Sequence, residues 1–176
     1  MTESNLNPSL AESPLAGLAP IGDRRARTLI LGSFPSEASL AAQRYYGHPR
    51  NQFWRLVGGV IGEPLETLPY ASRVERLAAH GIGVWDVIGH CEREGSLDSA
   101  IRAEVANDLA GLLRRWPHVR LIAFNGGKAA SYQRRVMALP EAARCRAVVL
   151  PSSSPANATH SFAVKQAAWS AALETR

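Results

Sequence analysis

Ten consecutive residues, Tyr45-Tyr46-Gly47-His48-Pro49-Arg50-Asn51-Gln52-Phe53-Trp54, bring phenols, an imidazole, a guanidinium and two amides into one short run. A flat ring such as Tyr46 can stack on a base turned out of a duplex, an amide such as Asn51 can orient water, and Arg50 can hold a phosphate. The plainer account is a helix N-terminus that Asn51 caps while Phe53 and Trp54 pack inward. Tyr45, Tyr46, His48 and Asn51 taken together favour the chemical account.

Asp86 closes the apolar run Gly83-Val84-Trp85-Asp86. An ionised carboxylate only accepts hydrogen bonds, so it would select a base edge that donates a ring N–H, such as hypoxanthine, guanine or uracil, over adenine. Capping of the following turn is the alternative role for Asp86. Gly32-Ser33-Phe34-Pro35-Ser36 offers a glycine that lets backbone approach a ligand and a proline that stiffens the turn. It is also compatible with an ordinary strand-to-helix turn. Neither GxGxxG nor GxxxxGK[ST] is present, which excludes Rossmann dinucleotide and P-loop sites.

Pro151-Ser152-Ser153-Ser154-Pro155-Ala156-Asn157-Ala158-Thr159-His160 sets small hydroxyls between prolines. Ser152, Ser153, Ser154, Asn157 and His160 can clamp phosphates, and Pro155 and Ala156 are slim enough to press into a base stack. Asn125-Gly126-Gly127-Lys128 can offer a helix N-terminus and the Lys128 ammonium to a phosphate, or serve only as a tight turn.

These groups need a scaffold that gathers them. Four apolar segments, residues 28–31, 82–85, 119–124 and 146–150, predict buried strands. Helical patterns separate them. Ile101, Val105, Leu109, Leu112, Leu113 and Trp116 predict one helix beginning near Asp98 or Ser99, with further helices over residues 51–60 and 163–173. The alternation predicts an α/β fold, a three-layer α/β/α sandwich around a short, mainly parallel four-stranded sheet. In such a sheet the carboxyl ends of all strands share one edge, so Gly32 to Ser36, Asp86, Asn125 to Lys128 and Pro151 to Asn157 should converge there.

The 176-residue chain carries a net charge of +5, and of its 20 basic side chains only Lys128 and Lys165 are lysines. Arginine is the better bidentate phosphate ligand, so the balance suits a polyanionic partner. Cys91 and Cys145 are far apart and show no metal spacing, which argues against zinc or an iron–sulfur cluster. No run approaches the roughly 20 apolar residues of a membrane span. The expectations are a cytoplasmic protein, nucleoid-associated if bacterial, a monomer without membrane contact, with residues 1–21 a poorly ordered leader and residues 22–176 a single domain.

Gly32-Ser33-Phe34-Pro35 with Tyr45 to Trp54, Val84-Trp85-Asp86-Val87-Ile88, and Leu150-Pro151-Ser152-Ser153-Ser154-Pro155-Ala156-Asn157 together resemble the uracil-DNA glycosylase superfamily, in particular its hypoxanthine-DNA glycosylase branch. Phe124-Asn125-Gly126 is also similar to a motif of the mismatch-specific thymine and uracil relatives. The resemblance spans nearly all the chain outside the leader. It implies a single α/β/α glycosylase domain that needs no metal or redox cofactor, takes damaged DNA as partner and hydrolyses the N-glycosidic bond of a deaminated base to leave an abasic site. By motif position the branch's catalytic asparagine corresponds to Asn51. Ser33 stands where many members carry an Asp, Asn or Glu that positions water, so Asn51, with His48 second, is the expected water-orienting group. Asp86 would then hold the base's ring N–H, backbone N–H groups of the Gly32, Ser33 and Phe34 turn its carbonyl, and Tyr46 or Phe34 its flat face.

Two other readings compete. A uracil- or mismatch-specific enzyme of the same superfamily would use the same groups. A non-catalytic nucleic-acid-binding α/β module would use Asn51 only as a cap and the aromatic cluster as a stacking platform. A small-molecule hydrolase is disfavoured, because no nucleophile elbow, Ser/His/Asp order or metal motif occurs.

Overall fold

Strand β2 (Thr28–Gly32) is almost wholly apolar, and all five residues are buried, as a strand covered on both faces requires. It pairs in parallel with β3 (Ile82–Asp86) on one side and β6 (Leu121–Asn125) on the other; β7 (Arg146–Leu150) extends the sheet beyond β6. The order is therefore β3-β2-β6-β7, with the first strand in sequence inside the sheet and a switch of direction between its neighbours. Ligands of open parallel sheets bind at that kind of switch, outside the strands' carboxyl ends. The computed structural model describes residues 13–174.

Helices flank the sheet and give the expected α/β/α layering: α1 (Glu37–Ala42), α2 (Phe53–Ile61), α3 (Tyr70–Ala79), α4 (Leu109–Arg115), α5 (Gly127–Ala130), α6 (Gln133–Met137) and α7 (Phe162–Leu173). Helices α2 and α7 pack on each other, Phe53 meeting Trp169 edge to face, and α7 also lies against β7. Gly83 is required by the α4 side: a Cβ there would lie 2.4 Å from the Trp116 ring.

A second, antiparallel sheet was not legible in the hydrophobic pattern. The chain leaves β3 at Asp86 and passes at once into β4 (Ile88–Glu92), which lies between β1 (Leu15–Ala16) and β5 (Arg102–Ala106). This overturns the helix expected from Asp98 to Trp116. Only Leu109–Arg115 is helical, starting where the Asp108 side chain accepts the Gly111 N–H; Asp98–Ala100 is a single 3-10 turn and Arg102–Ala106 a strand. The four-residue spacing of Ile101, Val105 and Leu109 imitates a helical face, but Val105 is 57 % exposed. Pairing to the otherwise open edge of β4 decides the conformation, as tertiary context commonly does for β segments.

The expected leader is corrected over residues 13–21. Leu15 and Ala16 pair with Cys91 and His90, Ile21 exchanges backbone hydrogen bonds with Val84, and the Leu18 carbonyl accepts from the Trp85 indole and the Tyr45 hydroxyl. Residues 1–12 of that expectation lie outside the described residues.

Candidate active site

At the carboxyl edge of the parallel sheet is a cavity of about 550 Å³. Its lining takes in Gly32, Ser33, Phe34, Tyr46, Asn51, Asp86, Asn125, Ser152, Ser153, Ser154 and Asn157, so topology gathers segments over a hundred residues apart, as expected from the sequence.

Asp86 is 4 % exposed and its Oδ2 has no hydrogen-bond partner. A buried carboxylate oxygen without a donor is costly, and native proteins keep such groups where a catalytic role, a ligand, an ion or an ordered water completes them. Burial, and secondarily the charge of Asp98, pushes its pKa up to about 7, while Arg93 pulls it back. The chain's exit from β3 fixes Asp86 in place: Val87 N–H donates to the Gly32 carbonyl, Ile88 N–H to Ser33, and the Asn107 side chain donates to the Asp86 carbonyl at 2.8 Å.

Asn125 ends β6 and knits one wall. Its Nδ2 donates to Tyr46 Oη at 3.1 Å and to Ser153 Oγ at 2.9 Å, and its Oδ1 accepts the Ser153 N–H. Tyr46 takes a left-handed φ of 52° and stacks on Phe53, with ring centroids 3.8 Å apart. Burial and the Asp86 charge hold its phenol well above the ordinary range. Asn51 serves both accounts offered by the sequence. Its Oδ1 accepts the Phe53 N–H at 2.9 Å, an Asx turn that satisfies the first free N–H of α2 while Gln52 holds the N-cap position, and the same residue lines the cavity. With that oxygen engaged, the amide N–H groups are what Asn51 chiefly offers a ligand.

The loop after β7 is held by its own hydroxyls, as a short Ser/Pro loop needs if it is to be stiff. Ser152 Oγ accepts the Ser154 N–H, Ser154 Oγ accepts the Ala156 N–H, and Gln52 N–H reaches the Ser153 carbonyl. Behind it Lys165 is 2 % exposed; its ammonium donates to Gln52 Oε1 and the Asn157 carbonyl, both at 3.0 Å, and burial lowers its pKa.

Five of the residues singled out lie outside the cavity wall: His48, Arg50, Lys128, Pro155 and His160. His48 Nδ1 accepts the Arg50 N–H; Arg50, Pro155 and His160 are exposed at the rim segments; and Lys128 pairs with Glu104 at 3.0 Å. Conversely, sequence reasoning missed Ser96, Leu97, Asp98 and Ser99, which close the cavity from the segment between β4 and β5. The spacing of Ile101, Val105 and Leu109 predicts a helix beginning near Asp98, where the structure has a single 3-10 turn. The available signal was the Glu94-Gly95-Ser96 turn chemistry just before it, which opposes a helix there.

Comparison with known proteins gives one consistent result. Residues 19–173 match the model of the uracil DNA glycosylase superfamily. A hypoxanthine DNA glycosylase of Methanosarcina acetivorans is 45% identical over 141 residues, covering 80% of this chain and 87% of that protein. One from Methanosarcina barkeri is 37% identical over 158 residues, covering 90% and 97%. The solution NMR structure of a uracil DNA glycosylase candidate from Methanosarcina acetivorans superposes with a TM-score of 0.79 at 42% identity, covering 90% of this chain and 96% of that one.

Proposed function

The chain belongs to the uracil DNA glycosylase superfamily, and from that premise we propose that it excises hypoxanthine from DNA, hydrolysing the N-glycosidic bond of deoxyinosine and leaving an abasic site. The observation that carries the base assignment is the unpartnered, buried Oδ2 of Asp86 in a cavity that Asn51 also lines. Hypoxanthine presents a ring N–H beside a carbonyl, and an ionised Asp86 accepts the first of these. Adenine presents an unprotonated ring nitrogen at that position and leaves the carboxylate oxygen unsatisfied, a loss of the kind that separates substrates strongly.

The rest of the cavity supplies the other needs of such a reaction. A flipped base requires a flat surface, and Tyr46, backed by Phe53, provides one. Departure of the base leaves an electron-poor sugar and negative charge on the base, so preorganised donors near the base stabilise the transition state. The exposed Arg50 and the self-braced Ser152 to Asn157 loop face the flanking backbone, where phosphates are gripped without regard to sequence. Lys165, held by two oxygens and buried, supports hydrolysis without a Schiff base, and hence an enzyme that leaves the strand intact. One protomer contains the whole cavity, which supports action as a monomer.

The test incubates purified protein with labelled duplexes bearing a single hypoxanthine, uracil, xanthine or mismatched thymine, in chelator, followed by alkaline cleavage. Release from the hypoxanthine duplex, lost in Asp86→Ala and Asn51→Ala, is the expected result. Preference for uracil would reassign the base; no release from any duplex with binding intact would leave a binding module.

A further inference from the structure

The segment joining β4 to β5 crosses the cavity mouth as a strap pinned at three points. Arg93 is buried; its Nη2 donates to the Pro35 carbonyl at 2.6 Å and its guanidinium carbon lies 5.1 Å from the centre of the Phe34 ring. Ser96 Oγ accepts the Glu37 N–H at 2.9 Å. Ser33 Oγ donates to Asp98 Oδ1 at 2.6 Å, across 65 residues of sequence. A hydroxyl-to-carboxylate contact of that length is a charge-assisted hydrogen bond, and it sets the orientation of the Asp98 carboxylate.

Among the side chains lining the cavity, the carboxylates Asp86 and Asp98 can accept a proton, and Asn51 can only orient water through hydrogen bonds. Asp86 is buried where it would meet the base. Asn51 has committed its oxygen to the Phe53 N–H. Asp98 is exposed at the mouth, forms no ion pair among the described residues, and keeps its second oxygen clear of the Ser33 bond. A hydrolytic water needs an acceptor for the proton it sheds, and an oriented, solvent-accessible carboxylate suits that task better than an amide whose oxygen is occupied. We propose that Asp98, oriented by Ser33, is the catalytic carboxylate that accepts the proton of the attacking water, with Ser33 as its positioning residue. The proposal rests on the glycosylase reading above and adds a residue to it.

In the reaction the water oxygen bonds to C1′ of the sugar and its proton passes to Asp98. The C1′–N bond breaks and its electron pair leaves with the base. The departing base then takes up a proton from solvent, and Asp98 returns its own proton to solvent. Asn51 donates to the same water through its amide N–H groups and holds it against the sugar. That Asp98 adds to the upward push on Asp86 agrees with the two carboxylates sharing one cavity.

The test is single-turnover base release from a hypoxanthine duplex at saturating enzyme, for wild type, Asp98→Asn, Ser33→Ala and the double variant, with duplex affinity and thermal unfolding measured in parallel. Asparagine still accepts from Ser33, so the strap stays pinned. Asp98→Asn is expected to bind duplex and unfold as wild type does while its release rate falls by about 100-fold or more. Ser33→Ala is expected to lose about 10-fold, and the double variant to be no slower than Asp98→Asn, because the serine acts only through the aspartate. Release by Asp98→Asn within about threefold of wild type, losses that multiply in the double variant, or a loss matched by weakened binding or unfolding would overturn the proposal. A wild type inactive on every lesion duplex would instead overturn the glycosylase reading, and this proposal with it.

Discussion

Gly32 and Asp86 are partners in the register of adjoining parallel strands, and a Cβ on Gly32 would lie 2.5 Å from Asp86 Oδ1 and 3.0 Å from Tyr46 Oη. The missing side chain is therefore the space in which the buried carboxylate and the phenol sit together. No left-handed backbone is involved, since Gly32 continues β2.

Gly32→Ala should accordingly displace Asp86 or Tyr46 without breaking the sheet. The expected outcome is a folded protein that keeps its affinity for undamaged duplex and loses hypoxanthine release by about 100-fold, the scale on which small misplacements act. Release at the wild-type rate would show that the carboxylate's position is immaterial.

The raised pKa of Asp86, about 7, gives the activity a pH signature. If the ionised form accepts the base's ring N–H, base release at limiting enzyme concentration should rise with pH through about 7 and level off above it. Asp86→Asn should remove that rise together with most activity. A rate that falls through the same range would mean that the neutral acid acts, as a donor.

The same shift has a cost in stability. A carboxyl whose folded pKa is raised contributes stability that is full below its unfolded pKa and is lost as pH rises through the folded value, here between the ordinary 3.8 and about 7. Asp86→Asn should therefore raise the unfolding temperature most at pH 8, less at pH 5, and change it little at pH 3, below the unfolded pKa, with an upper limit on the order of 4 kcal/mol. Equal shifts at pH 8 and pH 3 would contradict the assignment.

Asn51 has a structural and a chemical half, and they can be separated. Asn51→Asp keeps an oxygen for the Phe53 N–H and should unfold near the wild-type temperature, whereas Asn51→Ala should lose about 1 kcal/mol of stability with that hydrogen bond. Both should lose base release, because neither supplies the amide N–H groups. Activity in Asn51→Asp would assign the residue to capping alone.

Lys165 links Gln52, beside Asn51, to Asn157 in the loop after β7. Lys165→Met fills similar space but leaves two oxygens without their donor, so a loss of about 1–3 kcal/mol in chemical denaturation is expected. Weaker duplex binding should accompany it as the loop loosens. Borohydride treatment of the wild-type reaction should trap no protein–DNA adduct, which a lysine nucleophile would form.

Much of this protein is determined by sequence alone, because the relevant forces are local or periodic. The uninterrupted apolar strands starting at Thr28 and Ile82 can only be buried on both faces, and their alternation with amphipathic helices leads to a parallel sheet whose carboxyl edge collects Gly32, Asp86, Asn125 and Ser153. Within the run from Tyr45 to Trp54 the sequence leaves a helix cap and a cavity wall both open; the structure sets Tyr46 and Asn51 on the cavity wall and packs Phe53 and Trp54 into the core.

Tertiary structure decided the rest. Residues 102–106 have a spacing compatible with a helix, and only the open edge of β4 makes them a strand. The segment at Leu15 carries little pattern and becomes ordered because that sheet has a second edge to fill. Asp98 has the spacing of a helix start in the chain and acquires its place only when the strap returns to Ser33. Lys128, a plausible phosphate ligand in sequence, is claimed by Glu104 from β5. In each case the outcome depends on a partner remote in sequence, whose position is set by burial and backbone pairing over the whole domain and leaves no periodic trace in the segment itself.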